Sequence, residues 1–170
     1  MRKALALLGS AVFLVLAPGI VAGLAPRWIS GRGADSTSPG WPLQAVGVLF
    51  IAAGALVLLD SFARFALQGL GTPAPVFPTR HLVVTGLYRC VRNPMYLAVV
   101  SVILGQGLLL GSIPVLAYGA VVWLAMHLFV LLYEEPTLHA AFGGEYGKFC
   151  ASVPRWIPRV TPWQAPWSIG

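Results

Sequence analysis

Charge is what this sequence lacks most. Five acidic and eleven basic side chains make up 9% of 170 residues, against about 25% in soluble domains. So few charges cannot cover the surface of a soluble protein. Cysteine and histidine are scarce too. His81, His127 and His139 stand apart from one another and from Cys90 and Cys150. No zinc-type spacing results, so no metal centre is expected. The basic residues are dispersed and no nucleic-acid motif accompanies them, so nucleic acid is not an expected partner.

What is abundant is apolar sequence. Hydrophobic residues make up 58% of the chain and the mean hydropathy is +0.80. The apolar residues come in runs long enough to cross a bilayer, which takes about 20 residues per helix. The expected fold class is therefore all-α, an integral membrane helical bundle of about four transmembrane helices, forming one domain over 1–170. The spans are expected near 4–26, 42–67, 94–111 and 114–133. Trp28 to Gly40 reads as a short loop. The run from Asn93 to Tyr133 has no Lys, Arg, Asp or Glu and is two spans long. Gly111-Ser112-Ile113-Pro114 near its middle supplies a turn, with Pro114 suited to the first turn of a helix. A signal peptide is the other reading of the N-terminus. Its apolar run exceeds the usual 7–15 residues, so a retained helix is expected.

The basic residues set the orientation. With four spans, Arg2, Lys3, Arg64, Arg80, Arg89, Arg92, Lys148, Arg155 and Arg159 fall on one side, and only Arg27 and Arg32 on the other. Both termini, a connector over 69–93 and the pair Glu134-Glu135 are thus expected in the cytoplasm. Cys90 and Cys150 map to the same reducing side, where a structural disulfide is not expected. Asp60 and Arg64, four apart, can pair on one helix face. Gly105-x-Gly107 suits close helix packing.

Chemistry concentrates where the polar connector and the double carboxylate meet. Pro94 can open a helix with Asn93 as its N-cap, and the free amides there can accept an anion. Glu134 and Glu135 read as the end of the fourth helix, where carboxylates oppose the macrodipole by about 0.3–1 kcal/mol each. They want a cation, either Arg89 or Arg92 or a ligand ammonium. His127 lies seven residues before Glu134, on the same helical face. A histidine within a span is a candidate functional residue, and a hydrogen-bonded packing role is the alternative.

The string His81…Thr85-Gly86-x-Tyr88…Arg92-Asn93-Pro94-x-Tyr96 resembles the isoprenylcysteine carboxyl methyltransferase and phospholipid methyltransferase superfamily. So do Glu134-Glu135-x-x-Leu138-x-x-x-Phe142-Gly143-x-Glu145-Tyr146 and Val153-Pro154-Arg155. Order and spacing agree over about 77–159, half the chain. The resemblance implies S-adenosylmethionine as cofactor and methyl transfer to a small or lipid-embedded acceptor at the cytoplasmic face. The cofactor contacts it implies are His81, Leu82, Val83, Val84, Gly86 and Tyr88, then Asn93, Pro94, Met95 and Tyr96, and finally Glu134. Arg92, Glu135 and His127 are the catalytic candidates.

One departure bears on the acceptor. Isoprenylcysteine enzymes carry an Arg one turn before the first Glu, facing the substrate carboxylate, and Val130 stands there. A lipid amine, hydroxyl or thiol fits Val130 better, unless Arg155 or Arg89 supplies the missing charge. An NADPH-dependent sterol-type membrane reductase and a non-catalytic membrane scaffold are the other readings. The reductase needs a phosphate-binding cluster, for which Arg89, Arg92 and Arg155 are available. A bacterial inner membrane is the expected location, and a homodimer is left open.

Overall fold

The computed structural model describes residues 18–31, 39–64, 82, 84–164 and 166. Among them all regular structure is helical. A π-helical stretch Gly19–Leu24 leads into α1 (Ala25–Ser30), and α2 covers Trp41–Arg64. A 3-10 turn, Gly86–Arg89, precedes α3 (Pro94–Leu110) and α4 (Ile113–Phe129). A π turn, Val130–Glu134, continues into α5 (Glu135–Ser152).

Helix α2 and the helix opened by α4 are long and apolar enough to cross a membrane, and α3 is a shorter apolar helix. Only 17% of the apolar window of either long helix is buried. The central helix of a soluble protein buries most of such a window, so the solvent for these faces is lipid and the protein is an integral membrane protein. At about 1.5 Å per residue, the 24 residues of α2 exceed the ~30 Å hydrocarbon core.

Small residues let α2 and α3 approach closely. A Cβ added at Gly47 would lie 2.7 Å from the Gly105 carbonyl, one at Gly105 the same distance from the Gly47 carbonyl, and one at Gly54 2.8 Å from the Ala98 carbonyl. The two helices therefore run antiparallel, and Gly105 serves packing as expected. Gly107 makes room for Leu116, and Gly119 for Leu104. The turn between α3 and α4 falls where predicted. Gly111 takes φ +62 and Ser112 N–H donates to the Gly107 carbonyl at 2.9 Å. The interior at this level is Ala22, Val99, Ile103 and Val115.

Two prolines account for the two π segments. Proline has no N–H to give the carbonyl four residues back. Ahead of Pro26, Ala25 N–H reaches back to Ile20, and ahead of Pro136, Glu135 N–H reaches back to Val130, each five residues away. The carbonyl that Pro26 leaves free, that of Ala22, accepts from Gln106 Nε2 at 2.6 Å, and the neighbouring Val21 carbonyl accepts from Tyr118 at 3.0 Å.

These features correct three expectations. The first helix runs through Trp28 to Ser30 rather than stopping before the loop, because Pro26 opens a new α segment. Glu134 and Glu135 do not end a helix. They sit inside one that continues to Ser152, bent at Gly143 (φ 52, ψ −124), so the dipole penalty does not arise. Asn93 does not cap α3 with its side chain. Residues 4–17 of the first span, 65–67 of the second and most of the connector lie outside the described residues.

Candidate active site

One end of the bundle gathers the last turn of α2, the 3-10 turn, the first turn of α3 and the π turn. The apolar span of the longest helix closes at Tyr133, so Glu134 and Glu135 lie just beyond it. The two carboxylates, adjacent in sequence, have different surroundings.

Glu135 is held by two arginines. Arg155 donates through Nε to Oε1 at 2.7 Å and through Nη2 to Oε2 at 2.9 Å, and Arg92 Nη1 donates to Oε1 at 2.9 Å. Burial works against its ionisation, but the Arg155 hydrogen bonds and the charges of both arginines outweigh it. They hold the carboxyl below the usual carboxylate range. The same bond with Glu135 raises Arg155. Arg92 also reaches Cys150 Sγ at 2.8 Å.

This ion triad fastens the tail. Main-chain bonds run from Arg92 N–H to the Pro154 carbonyl (2.9 Å), from Arg159 N–H to the Cys90 carbonyl (3.0 Å) and from Trp163 N–H to the Arg89 carbonyl (2.9 Å). Arg89 Nε returns a bond to the Trp163 carbonyl at 2.7 Å. The Asn93 amide donates to the Arg155 carbonyl at 3.2 Å, which is where its side chain goes in place of capping. Beneath lies an apolar cluster of Val84, Tyr146, Phe149 and Val153, with Leu82 against it. The side chain of Val84, an expected cofactor contact, is thus buried in protein packing.

Glu134 has no such company. Its Oε2 accepts from the Tyr96 hydroxyl at 2.7 Å, and among the described residues no Arg, Lys or His stands within ion-pair distance. Burial raises its pKa first, with the Glu135 charge adding and the Tyr96 bond opposing. The Tyr88 phenol is buried beside this group and feels the charges of Glu134, Asp60 and Arg64. Burial drives its pKa upward. Gly86 adopts φ +56, a left-handed conformation, and the Arg64 guanidinium occupies the space a Cβ there would need. Asp60 and Arg64 pair as expected, at 2.7 Å.

His127 stands elsewhere. Its ring stacks on Trp123 at 5.3 Å between centroids, and its Nδ1 accepts from Trp156 Nε1 at 3.0 Å. The π turn between His127 and Glu134 changes the helical phase that a regular α-helix would have kept. Val130 is buried within that turn. Pro94 opens α3 as predicted, and Pro94 and Met95 are buried beneath the site. His81 and Val83 lie outside the described residues. The sequence reading missed Asp60, Ser61 and Arg64 as neighbours of this site. The only signal was the spacing of the Asp60–Arg64 pair, which says nothing of what packs across it.

The match to known proteins covers part of this assembly. No curated protein and no solved structure matches the chain. The family model described as phospholipid methyltransferase matches residues 43–145, from α2 through the double carboxylate into α5 and more than half of the sequence. The match takes in Tyr88, Tyr96 and the Glu134-Glu135 pair, which the bundle brings to one end, and the chain belongs to the phospholipid methyltransferase family.

Proposed function

We propose that this protein transfers a methyl group from S-adenosylmethionine to a lipid-embedded acceptor at the cytoplasmic membrane face. It would do so as a four-span protein of a bacterial inner membrane with both termini inside. Membership in a phospholipid methyltransferase family supports methyl transfer to a membrane lipid. The observation that carries the cofactor is the contrast between the two glutamates. Glu135 has two arginines, whereas Glu134 is half-buried on a neutral hydroxyl with no cation among the described residues. A carboxylate partly withdrawn from water in that state is served by a cationic partner, and the α-ammonium of the cofactor is one.

In this reading Glu134 holds the ammonium, and Tyr96 keeps the carboxylate oriented. The first-turn amides of α3, at Met95 and Tyr96, would take the cofactor carboxylate. Tyr88 and Tyr96 offer aromatic faces to a sulfonium or adenine. The cofactor, when bound, supplies a methyl already activated on a sulfonium. The chain's task is then alignment and exclusion of water. Arg92 and Glu135 act by closing the tail over the connector. The acceptor enters from lipid, beside helices whose faces are open to it. A nucleotide-phosphate cluster of Arg89, Arg92 and Arg155 is disfavoured, because each is tied to Trp163 or Glu135.

Calorimetry of S-adenosylhomocysteine with the detergent-purified protein tests the reading. Micromolar binding lost in Glu134→Ala is the expected result. A folded wild type that binds none, with NADPH binding in the same cell, overturns it.

A further inference from the structure

The arginines of the described site face two ways. Arg92 and Arg155 converge on Glu135, while Arg89 and Arg159 hold the Trp163 and Ser152 carbonyls. All four belong to the fastening of the tail. The fifth, Arg64, reaches the site from the opposite side, off the last turn of α2. Its Nε donates to Asp60 Oδ2 at 2.7 Å, with the two side chains 28% and 39% exposed. That exposure leaves the guanidinium open to a ligand.

Three details fix where it points. The guanidinium lies against the backbone of Gly86, inside the volume of a missing Cβ. Ser61, from the same turn of α2, is fully buried. The charges of Asp60 and Arg64 reach the Tyr88 phenol, which also feels Glu134. Tyr88 therefore stands between a carboxylate with no cation among the described residues and a guanidinium fixed by its own carboxylate. Depth adds a fourth detail. Leu56 and Leu59, just before the pair on α2, are exposed, as the faces of a membrane span are. Asp60 and Arg64 close this span, at the level of the headgroups.

Val130, where related enzymes place a positive charge, is buried in the π turn and offers none. Arg155 and Arg89 do not replace it, being engaged as above. We propose that Arg64, held by Asp60, is the anion-binding residue of the acceptor subsite and takes the phosphodiester of a phospholipid acceptor. This rests on the methyl-transfer reading for the word acceptor, and on the geometry alone for the anion. A guanidinium matches a phosphate by paired N–H donors, which a lysine ammonium reproduces only as a point charge. The phosphate at Arg64 would place the headgroup beyond it toward Tyr88 and Glu134, where the methyl donor is held. In this proposal an acceptor with a negative charge is served from a helix outside the motif strings, rather than by Arg155 or Arg89.

The test uses the full-length protein in detergent. Native mass spectrometry measures retention of dioleoylphosphatidylethanolamine against a dioleylamine that lacks phosphate, for wild type, Arg64→Gln, Arg64→Lys and Gly86→Ala. Calorimetry measures S-adenosylhomocysteine affinity in the same samples. Wild type is expected to prefer the phospholipid by about tenfold, the worth of one charge-assisted contact. Arg64→Gln loses that preference, Arg64→Lys keeps part of it, and Gly86→Ala weakens it by displacing the guanidinium. S-adenosylhomocysteine affinity stays within twofold in both Arg64 variants. An unchanged preference in Arg64→Gln, or no preference in wild type, overturns the assignment. A tenfold loss of S-adenosylhomocysteine affinity in Arg64→Gln overturns it too, assigning Arg64 to the cofactor carboxylate. Wild type that binds no S-adenosylhomocysteine but keeps an Arg64-dependent phospholipid preference refutes the methyltransferase reading and leaves the phosphate site standing.

Discussion

Replacing Glu135 by alanine is expected to release the tail without unfolding the bundle. The carboxylate accepts three hydrogen bonds of 2.7–2.9 Å from Arg155 and Arg92. Side-chain exposures are 16% for Glu135, 11% for Arg92 and 29% for Arg155. Removing one partner from a buried pair costs about 3–5 kcal/mol, because the other charge is left stranded. Arg155 is exposed enough to regain water, which places the cost near the lower end, about 3 kcal/mol. If the cost falls on tail docking, the open population rises by about a hundredfold. Cleavage by trypsin after Arg159 reads that population, since proteolysis of a transiently opened segment follows its equilibrium occupancy. Arg159 N–H is bonded to the Cys90 carbonyl in the docked tail, so cutting there requires opening. The expected result is a cleavage rate about a hundredfold faster, with far-UV circular dichroism unchanged. A rate within twofold of wild type would show that the triad does not hold the tail. Glu134→Ala is the control: it loses ligand affinity and leaves the cleavage rate alone.

The remaining predictions use other parts of the structure. Affinity for S-adenosylhomocysteine should fall with decreasing pH, because protonation of Glu134 competes with the ligand ammonium. Its raised pKa starts the loss above the ordinary carboxylate range, near 4.3, and a Glu134→Gln titration is flat. Tail docking has a different profile, since Glu135 is depressed. Its stabilisation is present above the ordinary range and lost only as pH falls through the lowered value, read by tryptophan fluorescence. Gly105→Leu should part α2 from α3, because even a Cβ would lie 2.7 Å from the Gly47 carbonyl, and thermal melts in detergent then show loss of the folded bundle. Gly144→Ala meets nothing within 4 Å and should melt as wild type does. His127→Phe keeps the ring stacking but removes the acceptor for Trp156, costing about 1 kcal/mol. If methyl transfer instead falls by a hundredfold with the melt unchanged, His127 moves a proton in the reaction.

Some of this protein was legible in its sequence because the physics is local. Scarcity of charge and the length of the apolar runs dictate helices in lipid. Pro94, Gly111 and Pro114 mark helix boundaries through their own backbone restrictions, and Asp60 finds Arg64 because four residues make one helical turn. The resemblance read from the sequence, too, rests on local strings around Asn93-Pro94 and Glu134-Glu135, both inside the matched residues 43–145. What tertiary structure alone decided is which of two adjacent carboxylates is neutralised. The resemblance gives them different roles, but nothing in the pair itself says which of them meets the arginines. A proline two residues after Glu134 widens the helix into a π turn, and the folded tail brings Arg155 to Glu135 while Tyr96 of α3 meets Glu134. The same holds for Arg64, whose partner four residues back could be read from the sequence. Its place over Gly86 depends on α2 and the connector meeting across the bundle end, a contact between segments far apart in the chain that no spacing encodes.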